Sequence, residues 1–128
     1  MERGRALALV AGGAFVGAVC RYLLALTVPE TAAWLPGRLP WGTLAANVLG
    51  AFALGALTAR ERSPAVSLTL GTGFCSSFTT YSTFAVETAG LRPTAAAAYV
   101  GATYGVGMAA VVAGRTVGNR GRSGEGSP

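Results

Sequence analysis

The sequence predicts an all-α integral membrane protein with four transmembrane helices, the third of them interrupted in mid-membrane. Of its 128 residues, 52% are hydrophobic and 12% are charged, whereas a soluble domain carries about 25% charged residues. The mean hydropathy is positive, at +0.49. Four apolar stretches approach the roughly 20 residues that a helix needs to span a bilayer. The third stretch also contains a dense cluster of hydroxyl side chains, which favours a break in its helix.

Proline or charged residues separate the four apolar stretches. The boundaries predict spans at about 6–28, 41–59, 64–89 and 93–113. Residues 1–117 then form a single four-helix transmembrane unit. Residues 118–128 are rich in glycine, serine and arginine, a composition typical of a disordered tail.

All ten basic residues are arginines, and their positions predict the orientation. With four spans, both termini lie on the same side as the connection between the second and third spans. Seven arginines fall on that side, two on the other, and Arg21 falls within the first span. Because arginine is enriched in cytoplasmic segments, we expect a multi-pass protein of a bacterial-type inner (plasma) membrane with cytoplasmic termini and tail. Membrane topology thus accounts for the net charge of +5 without nucleic acid as a partner.

The composition argues against an enzyme. The chain has no Asp, Lys or His, so the commonest general acids, general bases and metal ligands are missing. Cys20 and Cys75 both lie within apolar stretches and are expected to be buried hydrophobic residues rather than a disulfide or zinc ligands.

Small residues recur at four-residue spacing within the predicted spans. Such pairs let helices approach closely in a membrane, where lipid tails provide no hydrophobic drive for association. Each pair could pack within one subunit or between subunits, and four short spans enclose little volume, so an oligomer is expected. The pairs are Gly13 with Gly17, Ala46 with Gly50, and Gly101 with Gly105.

Three polar groups of the first two spans need partners. Arg21 lies in the outer third of the first span, where it either snorkels to the surface or binds carbonyls or anions. Asn47 lies in the middle of the second span, and Thr43, four residues earlier, shares its helical face. An amide at that depth either bonds to a neighbouring helix or solvates an anion.

Polar residues of the last two spans are less easily interpreted. Tyr99 and Thr103 share one face of the fourth span, as either a polar track or a helix contact. Glu87 follows the hydroxyl cluster by one helical turn, and we expect it near the outer rim rather than inside the protein.

The third span contains six aliphatic hydroxyls in the eight residues from Ser76 to Thr83. Hydroxyl side chains compete for backbone groups, which favours an interrupted helix. Non-helical backbone at membrane depth persists only where it is buried in protein or lines a water-filled cavity.

The polar inventory of the spans favours passage of a small anion or a neutral solute. Hydroxyls, one amide and aromatic ring edges are neutral or electropositive groups. A cation channel is expected to carry rings of carboxylates, and a proton-coupled exporter a titratable group near the midplane.

Three motifs in order resemble the Fluc/CrcB family of fluoride channels along residues 12–114. They read Gly12-Gly13…Gly17-Ala18…Arg21-Tyr22, then Gly42-Thr43-Leu44…Asn47…Gly50…Gly55, then Gly71…Gly73-Phe74-Cys75…Thr79-Thr80-Tyr81-Ser82-Thr83-Phe84…Glu87. The resemblance implies an antiparallel dual-topology dimer with two fluoride pores that exports cytoplasmic fluoride passively and confers fluoride resistance.

The resemblance also implies roles for individual residues. Asn47 matches the pore asparagine, and Phe84 matches the second of two pore phenylalanines. Tyr81 stands where the family usually has the first. The complete implied pore set is Asn47, Phe84, Tyr81, Thr43, Thr83, Tyr99, Thr103 and Arg21.

Family members hold a structural sodium ion at the dimer centre, on backbone carbonyls at the break. By position, the resemblance implies that the carbonyls of Ser76 and Thr79 hold this Na⁺.

The arginine distribution conflicts with dual topology, which favours balanced charges on the two sides. The partner is therefore either a second copy of the chain or, by our hypothesis, a paralogue of opposite orientation.

Two other functional classes remain. A four-helix exporter of the small multidrug resistance type needs a membrane-embedded glutamate in its first helix, where this chain has only Arg21. If the chain were a non-transporting scaffold subunit, the hydroxyl cluster of the third span would have no evident role.

Overall fold

The computed structural model describes residues 1–28 and 39–120, and every regular secondary-structure element within these ranges is a helix. Three helices are long and apolar enough to cross a membrane, namely those at Arg3–Thr27, Trp41–Thr58 and Pro93–Arg120. The helices are α1 (Arg3–Thr27), α2 (Trp41–Thr58), α3 (Pro64–Val66), a π-helix (Ser67–Cys75), α4 (Ser76–Phe78), α5 (Tyr81–Gly90) and α6 (Pro93–Arg120).

The predicted interruption of the third apolar stretch is confirmed. One continuous helical segment, which we call the first half-helix, covers residues 64–78. Thr79 and Thr80 are extended, and α5 then forms the second half-helix. Thr80 caps α5, since its hydroxyl oxygen accepts from the backbone N–H of Thr83 at 3.2 Å, a standard N-cap contact.

The middle of the first half-helix is a nine-residue π-helix, Ser67–Cys75. A π-helix hydrogen-bonds residue i to i+5, so it is wider than an α-helix. Side chains five residues apart, such as those of Ser67 and Thr72, therefore come closer to one face than they would in an α-helix. Neither the composition nor the hydroxyl pattern of this stretch predicts the widening.

Glycine lets α1 and the first half-helix approach each other to backbone distance. A Cβ at Gly73 would lie 2.6 Å from the carbonyl oxygen of Val10, and a Cβ at Gly13 would overlap the carbonyl oxygen of Thr69. Gly17 meets the backbone of Phe74 in the same way. The predicted packing role of the Gly13–Gly17 pair is thus confirmed.

A second close contact joins α2 to α6. A Cβ at Gly55 would overlap the carbonyl oxygen of Val111, and a Cβ at Gly114 would overlap that of Phe52. The described residues thus contain two tightly packed helix pairs, α1 with the first half-helix and α2 with α6.

Of the two other small-residue pairs, only one makes contacts among the described residues. Ala46 is only 1% exposed, and Gly50 lies against the side chain of Thr79, so this pair joins α2 to the break. A Cβ at Gly101 or Gly105 would meet no atom of the described residues within 4 Å. This third pair is therefore not used for packing among the described residues of the subunit.

Helix α6 continues beyond the predicted end of the fourth span. It ends at Arg120, so residues 118–120 are helical rather than part of the predicted disordered tail; residues 121–128 lie outside the described ranges. Two contacts stabilise this extension. Gly118 lies close to Ala56 of α2, and Arg60 Nε donates to the Gly118 carbonyl at 2.5 Å.

The substitution Gly13→Ala should destabilise the subunit by about 1–3 kcal/mol, the usual cost of overpacking, because neither facing backbone can yield freely. Its neighbour Gly12 has open space around it. Gly12→Ala is therefore the matched control and should be neutral or stabilising by about 0.5–1 kcal/mol, the helix-propensity gain. Thermal unfolding of both variants in detergent would test this, and equal midpoints would contradict the close approach.

Candidate functional site

The side chain of Asn47 pairs with the broken backbone of the third stretch. Its Nδ2 donates to the Thr80 carbonyl at 3.1 Å, and its Oδ1 accepts from the Thr80 N–H at 2.8 Å. Both backbone groups of Thr80 are thus satisfied by one amide. Unpaired backbone groups are costly in a bilayer, so this pairing stabilises the break. Of the two roles considered for Asn47, interhelical bonding is the one that these contacts display.

A groove of about 430 Å³, which we call the central groove, lies beside this pair. Asn47, Tyr81, Phe84 and Thr103 all line it, and so do Ser76 and Thr79. No charged residue is found among its described lining residues. Four residues of the implied pore set therefore meet along one surface of the subunit.

Phe84 is the fixed aromatic residue of the central groove. It is 7% exposed and contacts three other rings. Its centroid lies 6.0 Å from that of Tyr81, 5.2 Å from that of Tyr99, and 6.1 Å from that of Tyr104 in an edge-to-face arrangement. Tyr81 is 74% exposed. Of the two residues that match the implied pore phenylalanines, only Phe84 is therefore held firmly by its neighbours.

Thr103 contributes an available hydroxyl to the same groove. Its Oγ1 is buried and has no hydrogen-bond partner among the described residues. A buried hydroxyl without a partner costs free energy, and a ligand in the groove could supply the missing hydrogen bond.

A second cavity, which we call the outer cleft, brings together the other polar residues. Arg21, Thr43, Thr83 and Glu87 line it, from α1, α2 and α5. It shares Thr80 with the central groove, so the two cavities meet at the break. Arg21 and the Glu87 carboxylate thus line the same cavity, an arrangement that spacing along the chain does not predict.

The expectation that Glu87 lies outside the protein is wrong. Glu87 is half-buried and accepts hydrogen bonds from Thr43 Oγ1 at 2.8 Å and from the Tyr99 hydroxyl at 3.0 Å. The distance along the chain explains the error, since Thr43 is 44 residues away and reaches Glu87 only because α2 packs beside α5. Tyr99 is fully buried and does not line the central groove, so its hydroxyl and that of Thr43 are both committed to Glu87.

The carbonyls of Ser76 and Thr79 have the right chemistry for a hard cation. The last carbonyls of a helix lack partners within that helix, and the first half-helix ends at Phe78. In the described part of the chain, no hydrogen bond outside the helices ends on either of the two oxygens. Oxygen atoms suit a hard ion, with partial negative charge at the helix end. By contrast, the described residues contain no group of three His, Cys, Asp or Glu that could bind a metal.

The arrangement as a whole provides a neutral, partly polar surface next to a charged cleft. Hydroxyls, an amide and ring edges can replace water around a small anion, and none of them carries a fixed charge that would retain it.

Comparison with known proteins identifies relatives along most of the chain. The family described as "CrcB-like protein, Camphor Resistance (CrcB)" matches residues 8–115. The chain is 52% identical over 118 residues to "Fluoride-specific ion channel FluC 1" of Natronomonas pharaonis, covering 88% of this chain and 93% of that protein. It is 48% identical over 119 residues to "Fluoride-specific ion channel FluC 2" of Halobacterium salinarum, covering 88% and 86%. The same organism has a "FluC 1" that is 39% identical over 110 residues, covering 82% and 87%.

The substitution Asn47→Asp should weaken the break. A carboxylate can still accept from the Thr80 N–H, but it cannot donate to the Thr80 carbonyl, so a loss of about 1–3 kcal/mol in unfolding free energy is expected. Asn119→Asp, on the exposed end of α6, introduces the same charge as a control. If Asn47→Asp unfolded in detergent at the same temperature as the wild type, the pairing would not be needed for stability.

Proposed function

The chain belongs to the CrcB-like family, and from this we propose that it is a subunit of a fluoride-selective channel. The channel lets cytoplasmic fluoride leave the cell passively and so confers fluoride resistance; no enzymatic step is involved. The observation that carries the proposal is the identity of 48–52%, over 88% of this chain, to proteins named fluoride-specific ion channels. The long apolar helices and these relatives make it a membrane protein.

The central groove supports fluoride as the permeating ion. Fluoride is small and strongly hydrated, so a pore must replace its water with close donors. The Thr103 hydroxyl lacks another partner among the described residues, and Phe84 can present a positive ring edge. Both groups are neutral, so they can solvate the ion and then release it. Neither a drug exporter nor a scaffold has comparable support from the relatives.

The exposure of the groove residues supports a second subunit. Tyr81 is 74% exposed, Tyr104 61% and Met108 68%, so one subunit leaves the ion path open along its length. We propose that each subunit crosses a bacterial-type inner membrane four times, with the two half-helices as its third crossing. Two subunits in antiparallel orientation then close two pores.

Sodium at the dimer centre is part of the same proposal. The Ser76 and Thr79 carbonyls of one subunit provide two oxygens, fewer than a hard cation needs. A second subunit related by two-fold symmetry would provide the same two again. The ion would hold the two breaks together without taking part in permeation.

The partner subunit is proposed to be a paralogue of opposite orientation. Seven arginines lie on the side of the predicted termini and two on the opposite side, which favours one fixed orientation with cytoplasmic termini. An antiparallel homodimer needs the chain to insert in both orientations. The two channel relatives of Halobacterium salinarum, FluC 1 and FluC 2, support pairing between paralogues, with a homodimer as the other possibility.

Liposomes containing the purified chain, or the chain with its paralogue, should release fluoride rapidly and retain chloride, as read with ion-selective electrodes. Phe84→Ile should reduce this efflux at least tenfold, because an aliphatic side chain has no electropositive edge. Phe15→Ile is the control, since Phe15 is 72% exposed on α1 and does not line the groove.

Wild-type efflux from the Phe84→Ile variant would remove that residue from the ion path. Absence of fluoride efflux from both the single chain and the paralogue pair would contradict the proposed function.

Cysteine crosslinking in cells that express this chain alone should yield little antiparallel dimer, because most copies should insert in one orientation. Co-expression with the paralogue should restore the crosslink. Abundant, conducting antiparallel homodimer from the chain alone would show instead that the arginine bias does not fix orientation.

A further inference from the structure

A third cavity opens at the end of the subunit that holds the connection between α2 and α3. We call this cavity, of about 500 Å³, the basal cleft. Its walls come from the end of α2, this connection and the first half-helix. Most of its lining residues are polar, namely Thr58, Arg60, Arg62, Ser67, Thr72 and Ser76.

Three of these hydroxyl residues form a row along the first half-helix. Ser67 and Thr72 are five residues apart within the π-helix, where i and i+5 are joined by a hydrogen bond. Ser76 directly follows the π-helix, four residues after Thr72, and both residues line the basal cleft. All three are exposed in the subunit. The π-helix thus keeps the row on one side of the segment, facing the basal cleft.

The basal cleft adjoins the central groove. Leu54, Gly71 and Ser76 line both cavities. Ser76 is also the last member of the hydroxyl row, so the row ends where the central groove begins. An ion that followed the row from the surface would arrive at Ser76, which lines the central groove together with Asn47.

The surface end of the basal cleft is positively charged. Arg62 is exposed and Arg60 is half-buried, with Nε of Arg60 donating to the Gly118 carbonyl. The adjacent Glu61 is exposed and is not among the lining residues. Two arginines at the opening of a cleft raise the local concentration of anions and speed their entry.

We propose that the basal cleft is the cytoplasmic entrance of the ion path, with Arg62 and Arg60 attracting fluoride and the Ser67–Thr72–Ser76 row conducting it to the central groove. This inference rests on the proposed channel function and adds Arg60, Arg62, Ser67 and Thr72, to which the family resemblance assigns no role. The headgroup of an anionic phospholipid is the competing occupant. The hydroxyl row favours the ion, because it continues inward to the break, beyond the charged end where a headgroup phosphate would bind.

The test compares fluoride efflux from liposomes for two variants with matched controls. Arg62→Gln should lower efflux about two- to threefold at 10 mM ionic strength, the effect of one unit charge at the entrance in water. At 1 M the difference should vanish, since the screening length falls to about 3 Å. Arg115→Gln removes the same charge from an exposed position of α6 outside the basal cleft, and it should match the wild type at both ionic strengths.

Thr72→Val removes one hydroxyl of the row at nearly constant volume. It should lower efflux about two- to tenfold, the range expected for one neutral hydrogen bond, at both ionic strengths. Thr69→Val changes the same π-helix at a residue that does not line the basal cleft, and it should leave efflux unchanged. Equal elution of all variants in size-exclusion chromatography would establish that they fold alike.

If the wild type conducts fluoride and Arg62→Gln and Thr72→Val match it, the entrance is elsewhere, while the channel function stands. A different result would be that the wild type releases fluoride only from liposomes that contain anionic lipid, whereas Arg62→Gln releases it with or without that lipid. The basal cleft then binds a headgroup, and this proposal is overturned. If neither the chain nor the paralogue pair conducts fluoride, the channel function and this entrance fall together.

Discussion

The double hydrogen bond between Asn47 and Thr80 is the contact on which the rest of the site depends. A membrane helix that stops in mid-course exposes backbone groups that hydrocarbon cannot solvate, and one amide satisfies both groups of Thr80. Because the chain can then remain extended at Thr79 and Thr80, α5 begins afresh with its own N-cap. Phe84 is placed against the groove by this new helix. Without the pairing, a continuous helix would carry these side chains to other faces.

Charge is distributed along the subunit in a way that suits an anion path. The central groove has no charged residue among its described lining, while Arg21 lies in the outer cleft and Arg60 and Arg62 lie in the basal cleft. Conduction requires binding that is favourable enough for entry and weak enough for exit. In the proposed ion path, fixed positive charges at both ends attract the ion, and neutral groups between them let it pass. In the outer cleft, Glu87 offsets part of the charge of Arg21.

The subunit is tightly packed in some places and incomplete in others. Glycines at 13, 17, 55, 73 and 114 bring backbones into direct contact and fix the two helix pairs. By contrast, Tyr81, Tyr104 and Met108 are more than half exposed, and Gly101 and Gly105 meet none of the described residues. Rigid helix pairs beside an unfinished groove are consistent with a protein whose function is completed by a second subunit.

The sequence by itself determined the apolar stretches, the break within the hydroxyl cluster and the neutral donors in place of carboxylates. These features follow from local composition and helical spacing, which act over a few residues. Only the tertiary structure decided which groups meet. Asn47 reaches Thr80 across 33 residues and Thr43 reaches Glu87 across 44, so spacing along one helix could reveal neither contact. The same limit explains why spacing predicts neither hydrogen bond of Glu87, and why it does not separate Tyr99 from the groove residues. Helix crossing, set by where glycine allows backbones to touch, decided these partners.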